Sequence, residues 1–339
     1  MDATANPIVV SLIVPILNEE RYIEDCVRTL QKQDFPAEQM EILLVDGNST
    51  DTTMEIIKRL EAEDPEHIRV LDNPKRIQAV AMNIGAEHAR GTYLVRIDAH
   101  VSYPENYVST CIDLLEKTDS VNAGCACVTT STTPVGMRIA KILTSPFGVG
   151  GSGFRVGAES GYVDTVPFGT FRKDYFQKIG GFDERLARNE DNEINYRIRK
   201  LGGKIYMTSD IHVTYYCRNN LKDLGKMAYA NGKWTVIAAA LCPGSMSLKY
   251  FVPLAFVLSL IGMPILSLLW APFWFAFAAE LLLYTGLSLF FASKKTRGLL
   301  EMLQVAYLFP AFHIPYGLGS IGGIFSVLFE KQFRKENSK

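Results

Sequence analysis

The chain has 339 residues, a formal net charge of −1 and 48% hydrophobic residues. That length exceeds one ordinary core, so at least two folded units are expected. A near-neutral balance argues against the strongly basic face of a nucleic-acid binder, and no nucleic acid is expected as a partner.

The start, MDATANP, is acidic and lacks the apolar core of a secretory signal. From there to about residue 130, apolar runs alternate with amphipathic stretches. IVVSLIVPI is too apolar on both faces for a solvated sheet and predicts a buried strand. Tyr22, Ile23, Cys26, Val27 and Leu30 then form a helical stripe. MEILLVDG predicts a second strand, with Ile56, Ile57 and Leu60 on the helix after it. IRVLDN is a third, followed by a helix carrying Ile77, Val80, Ala81 and Ile84. TYLVRID is the fourth, and Val108, Cys111, Ile112 and Leu115 mark the next helix. Such alternation implies an α/β fold with a Rossmann-like, mostly parallel sheet covered on both faces. Ligands in these sheets bind beyond the carboxyl ends of the strands. Those ends carry Asn18-Glu19-Glu20, Asp46-Gly47 and Asp98-Ala99-His100.

Asp98 and His100 flank one residue that points away, so both can face a divalent cation. Such a cation neutralises a departing diphosphate, and a carboxylate with an imidazole suits Mn2+ better than Mg2+. A polar turn capping a helix is the plainer alternative. In VDGNSTD, Asp46 sits where a nucleobase or ribose can be hydrogen-bonded, while Ser49, Thr50 or Asp51 caps a helix. The cysteines, including Cys125 and Cys127 in an apolar run, show no disulfide or zinc-module spacing, which fits a reducing, cytoplasmic setting.

Residues 131–160 crowd Gly, Ser and Pro, with little periodicity after Leu143, and predict a mobile loop. Farther on, Ile194, Ile198 and Leu201 give a helical stripe that puts Glu190 and Asp191 at a helix start. First-turn acids complement the macrodipole, and the same dipole holds Asp191 ionised, as a general base requires.

From Tyr250 the chain turns membrane-like. Two apolar stretches of about 20 residues, the length that crosses a bilayer, meet at Trp270 and Trp274. A third runs from Leu299 to Phe329, broken by Pro310 and Pro315, and reads as one kinked span or an interfacial helix followed by a span. From Lys249 onward eight Lys/Arg stand against four Glu, net +4, leaving −5 for residues 1–248. The basic part is thus the apolar part, which suits membrane lipids with anionic headgroups. By the positive-inside rule the SKKTRG loop is cytoplasmic.

The stretches VPILNEE, VDGNSTD, NIGAEHARGTYLVRIDAH, FGTFRKDYFQKIGGFDE and NEDNEINYRIRKLG, in this order, resemble a family 2 glycosyltransferase of the GT-A fold over residues 8–235. Within that family the likeness is to membrane-anchored bacterial exopolysaccharide transferases of the succinoglycan type. The resemblance implies residue roles. Pro15, Asn18 and Glu19 match the first nucleotide-binding turn, and Asp46 the uracil-contacting carboxylate. Asp98 and His100 occupy the family's D-x-D position, with His in place of the second Asp, as in the related polypeptide GalNAc transferases. His212 in SDIHVTYYCR matches the further His ligand of those enzymes; a solvent-facing strand histidine is the alternative. Asp191 matches the catalytic base, with Glu190 beside it at the donor site. Gly169 and Thr170 match the segment lining the donor-sugar and acceptor pocket, and Arg76 and Gln78 meet the diphosphate or ribose.

Processive synthases of the family carry a Q-x-x-R-W motif. LGKMAYANGKW keeps Trp234 without the Gln or Arg, which favours one sugar per encounter. The implied organisation is a glycosyltransferase domain over 1–248, a membrane region over 249–330 and a basic tail over 331–339. The implied activity is inverting, metal-dependent transfer from a UDP-sugar to a polyprenyl-linked saccharide at the cytoplasmic face of a bacterial inner membrane. A polyprenyl-phosphate sugar synthase and a catalytically silent nucleotide-binding subunit of an export complex are the alternatives.

Overall fold

A computed structural model describes residues 7–150 and 153–333. The acidic start, Gly151 and Ser152 of the glycine-rich segment, and the last six residues of the basic tail lie outside the described residues. The chain divides into two compact units: Met1–Val128 with Gly157–Tyr215, and Thr129–Val156 with Tyr216–Lys339.

The first unit is built on a sheet. Strands β1 (Val10–Ile16), β2 (Met40–Asp46), β3 (Ile68–Asp72) and β4 (Tyr93–Arg96) are separated by helices α1 (Ile23–Leu30), α2 (Thr53–Glu63) and α3 (Gln78–His88). The four strands run parallel in the order β3-β2-β1-β4. Val10, Leu12, Ile13, Val14, Leu43, Leu44 and Val45 are fully buried, which is why these strands read as continuous apolar runs.

Beyond β4 the sheet becomes mixed. It is extended by β5 (Val101–Ser102), α4 (Tyr107–Lys117) and β6 (Ser120–Thr130). After the segment belonging to the second unit come β7 (Gly161–Tyr162), β8 (Thr170–Arg172), α8 (Lys173–Lys178), α9 (Glu190–Lys200) and β9 (Lys204–Tyr216). The order continues β4-β8-β6-β9-β5, with β8 antiparallel to both β4 and β6, and β7 pairing β9. Short β8 is the wedge that carries a Rossmann-like parallel half into an antiparallel half. Leu201, expected on the buried stripe of its helix, is instead the exposed C-cap of α9.

Glu41 ties β2 to its neighbours from a fully buried position. Its carboxylate accepts from Ser11 Oγ at 2.7 Å, Arg90 N at 2.6 Å and Arg90 Nε at 2.8 Å. Burial alone pushes this carboxyl up, but the bonds from Ser11 and Arg90 and the Arg90 charge outweigh it, holding the group below the ordinary glutamate range. A carboxyl held low in the fold stabilises it above the unfolded pKa, and that stabilisation is lost as pH falls through the folded value. Glu41→Gln is therefore expected to cost about 1.5–3 kcal/mol at neutral pH, the range for hydrogen bonds to charged groups. The difference in melting temperature from the native chain should narrow below about pH 4. A difference independent of pH contradicts the assignment.

The second unit is helical. It begins with α5 (Pro134–Leu143), α6 (Pro146–Val149) and α7 (Gly153–Val156), and continues with α10 (Leu221–Leu241), α11 (Val252–Leu269), α12 (Pro272–Ser293) and α13 (Leu299–Phe329). Residues 131–160, expected as a loop, thus contain three helices. Pro134 opens α5 with Thr133 Oγ1 accepting from Gly136 N at 3.0 Å, and Ile139, Ile142 and Leu143 are buried. Phe147 of α6 packs among Tyr284, Phe291, Phe309 and His313, with ring centroids 4.9–5.6 Å away. These long-range partners leave no periodicity for local sequence to display.

Helices α10 and α13 meet through small residues. A Cβ on Gly232 would lie 1.9 Å from the Tyr316 carbonyl oxygen, and one on Gly319 1.9 Å from that of Tyr229. Leu248–Leu269, Pro272–Ser293 and Leu299–Phe329 are long and apolar enough to cross a membrane. The third is one continuous helix through Pro310 and Pro315. Trp234 of α10 lies edge-on to Phe333, 5.7 Å away.

Candidate active site

The parallel strands end on one rim, where their following turns are laced together. Asn18 Oδ1 accepts from Thr50 N at 2.7 Å, and Glu19 N donates to Thr53 Oγ1 at 2.9 Å. Glu20 Oε2 accepts from Thr52 N at 3.2 Å and Thr52 Oγ1 at 2.9 Å. Asp51 Oδ1 accepts from Thr53 N at 3.1 Å at the start of α2, while the N-cap itself is Thr52, which makes no side-chain capping bond, and not Ser49, Thr50 or Asp51 as the sequence suggested. Pro15, in register with Val45, leads β1 into this rim.

Asp46 lies beneath the turns, 1% exposed, with Oδ2 accepting from Ser49 N at 3.0 Å and Oδ1 from Ser49 Oγ at 2.6 Å. Both oxygens are engaged in its own turn, so Asp46 shapes the rim instead of presenting an open carboxylate.

Five non-glycine residues hold positive φ among the described residues: Asn18, Asn48, Arg76, Phe168 and Asn189. All five stand at or within two residues of expected site residues. The conformation costs about 1–3 kcal/mol where the side chain is not Asn. Exposed Arg76 bears that strain at φ 59°, and its backbone N donates to Asn73 O at 3.2 Å.

Asp98 is the hub. Its Oδ1 accepts from Gln78 Nε2 at 2.8 Å and Arg96 Nε at 3.2 Å, and its N donates to the buried Tyr103 hydroxyl at 2.9 Å. Both side-chain donors meet Oδ1, so Oδ2 carries no hydrogen bond among the described residues. His100 follows with Nδ1 3.2 Å from Glu19 Oε1 and its ring 6.3 Å from that of Tyr215. A carboxylate oxygen without a hydrogen bond and an imidazole two residues on are donors of a kind a divalent cation accepts.

A preformed three-ligand cage does not fit. Among the described residues no three His, Cys, Asp or Glu side chains gather as one. Side chains on β9 alternate faces, so His212 lies on the face opposite Tyr215, and it is exposed.

Arg96 was not expected from the sequence. It is 7% exposed, and its Nη1 donates to Glu190 Oε1 at 2.9 Å while its Nε meets Asp98. The signal was a charged residue within an otherwise apolar strand, which requires a buried partner. Glu190, 4% exposed, is that partner. Burial pushes its carboxyl up, against the pull of Arg96, and neighbouring Asp191 adds to the rise.

Asp191 is half-buried in the first turn of α9, where its Oδ1 accepts from Asn192 N at 2.8 Å. The Arg96 bridge brings the Asp98 and Asp191 ends of the rim together. Thr170 and Gly169 belong to the packing beneath. Thr170 is fully buried on β8, paired with Val95 and Ala123. Gly169 is needed because a Cβ there would lie 2.3 Å from Asn122 Oδ1. Both residues are buried.

The family model for glycosyl transferase family 2 matches residues 11–180, half of the chain. The chain belongs to glycosyl transferase family 2. This glycosyl transferase is 37% identical over 229 residues to the succinoglycan biosynthesis protein ExoA of Rhizobium meliloti, covering 66% of this chain and 67% of that one. It is 30% identical over 269 residues to a dolichyl N-acetyl-α-D-glucosaminyl phosphate 3-β-D-2,3-diacetamido-2,3-dideoxy-β-D-glucuronosyltransferase of Methanococcus voltae, covering 77% and 82%. Among solved structures, a mannosyltransferase from Pyrobaculum calidifontis in complex with GDP-Man and Mn2+ aligns with 97% of this chain and 90% of its own, at TM-score 0.57 and 18% identity. At that identity the likeness establishes the GT-A fold of the transferase.

Proposed function

We propose that this glycosyl transferase moves one sugar from a UDP-sugar, with inversion, to a polyprenyl-linked saccharide at the cytoplasmic face of a bacterial inner membrane. The observation that carries the reading is the rim on which Arg96 joins Asp98 to Glu190, with His100 two residues after the one and Asp191 next to the other. The Mn2+ of the mannosyltransferase structure and the lipid-linked acceptor in the name of the Methanococcus relative support it.

In this reading Asn18, Glu19 and Asp46 shape the turn that receives the nucleotide, and Gln78 and Arg76 meet ribose or diphosphate. Asp98 and His100 would hold a divalent cation, Mn2+ or Mg2+, at the donor diphosphate. The bound cation supplies charge neutralisation for the departing UDP. Asp191 accepts the proton of the acceptor hydroxyl as its oxygen bonds to the anomeric carbon from the face opposite the phosphate. The anomeric carbon–phosphate oxygen bond breaks, and UDP leaves with that electron pair. His212, on the face of β9 opposite Tyr215, is a further candidate ligand that the two-ligand site does not require.

Three apolar helices and the exposed Lys294, Lys295 and Arg297 between the last two support membrane attachment with that loop in the cytoplasm. Fixing enzyme and acceptor in one plane raises their effective concentration. The test is transfer of label from a UDP-sugar into membrane lipid extract by the full chain in nanodiscs. Label should enter a lipid fraction that yields an oligosaccharide on mild acid. A labelled monosaccharide indicates direct transfer to lipid phosphate, and label remaining entirely water-soluble contradicts the acceptor.

A further inference from the structure

One buried guanidinium serves two carboxylates. The Arg96 side chain is 9% exposed and pairs with Asp98 Oδ1 at 3.2 Å and Glu190 Oε1 at 2.9 Å. Gln78 occupies the same Asp98 oxygen. Glu190 is 4% exposed and immediately precedes Asp191. A divalent cation approaching Asp98 therefore meets a fixed positive charge already resting on that carboxylate. At this separation in a largely buried site, water screens their repulsion poorly. Glu190 supplies the release: the guanidinium can leave Asp98 and remain compensated, because a second carboxylate already holds it. Without Glu190 it has only Asp98 to lean on.

We propose that Arg96 is a positioning residue that competes with the divalent cation for Asp98 and, when displaced onto Glu190, fixes the first turn of α9 that carries Asp191. The inference rests on the reading that Asp98 binds the metal. Before the donor arrives, Arg96 stands in for the cation and keeps Asp98 compensated. When metal and diphosphate arrive together, the guanidinium is held by Glu190 alone, and the base is set on the same event. Filling the donor site and ordering the base are then one linked equilibrium, with reciprocal effects.

The test is a calorimetric titration of the detergent-purified full chain with Mn2+ in the presence of UDP. Glu190→Gln removes the release and should weaken Mn2+ binding by about fivefold or more, the low end of ordinary coupling between sites. Replacing Arg96 by Met together with Glu190→Gln leaves neither buried charge alone, and should tighten Mn2+ binding beyond the native chain. Arg96→Lys keeps the charge and should remain close to native. General structural damage does not tighten a metal site, so the opposite signs separate positioning from mere support. Unchanged affinity in all variants, or weaker binding in the double variant at unchanged melting temperature, overturns the proposal. If the double variant does not fold, Glu190→Gln alone decides: unchanged or tighter Mn2+ binding overturns it. A native chain that binds UDP without Mn2+ removes the metal reading and this inference together, whereas native Mn2+ binding with flat variants removes this inference alone.

Discussion

Asp191→Asn is expected to lower kcat by about 10²–10⁴-fold, the usual contribution of a positioned general base, with UDP and Mn2+ affinities unchanged. The substitution is nearly isosteric and keeps an oxygen to accept from Asn192 N. It removes only the capacity to take a proton. Asp191 is not the residue that Arg96 grips; that is Glu190, so the buried ion pair survives the change. Initial rates at saturating donor, with UDP and Mn2+ calorimetry on the same sample, check both halves. Collapse of UDP affinity would make Asp191 a donor-site or structural residue.

Asp98→Asn should fail differently. It retains an Oδ1 acceptor for Gln78 and Arg96 but gives up the charge that holds a cation. Lost metal assistance is worth several kcal/mol, so kcat/KM should fall on the order of 10³-fold, at about 1.4 kcal/mol per tenfold. UDP binding in the presence of Mn2+ should weaken with it, which Asp191→Asn does not do. The fold should hold, because Arg96 keeps Glu190. The contrast between the two variants, one losing turnover alone and the other losing affinity as well, separates base from metal ligand. Equal loss of UDP affinity in both contradicts the division of roles.

The parallel half of the sheet was legible because strands buried on both faces are written as unbroken apolar runs, with Asp46 and Asp98 standing where the runs stop. The antiparallel half was not. Strand β8 has three residues, and its Thr170 looks like a polar site residue until the strands on either side are known to enclose it. Glu190 was legible as a helix start, but its ion pair was not, since its partner lies 94 positions away and leaves no local pattern. Arg96 did leave a trace, a charge within an apolar strand. The same reasoning covers Phe147, whose Ser-Pro-Phe-Gly setting reads as a loop although its ring is surrounded by aromatic residues of α12 and α13. Pro310 and Pro315 left open one span or an interfacial helix followed by a span, and both prolines lie inside the single helix α13.

The account stands most directly on release of UDP by the detergent-purified chain across a panel of UDP-sugars, measured with Mn2+ and again with EDTA. It predicts that one donor gives turnover and that EDTA abolishes it. No release with any donor, together with no UDP binding by calorimetry, would contradict it.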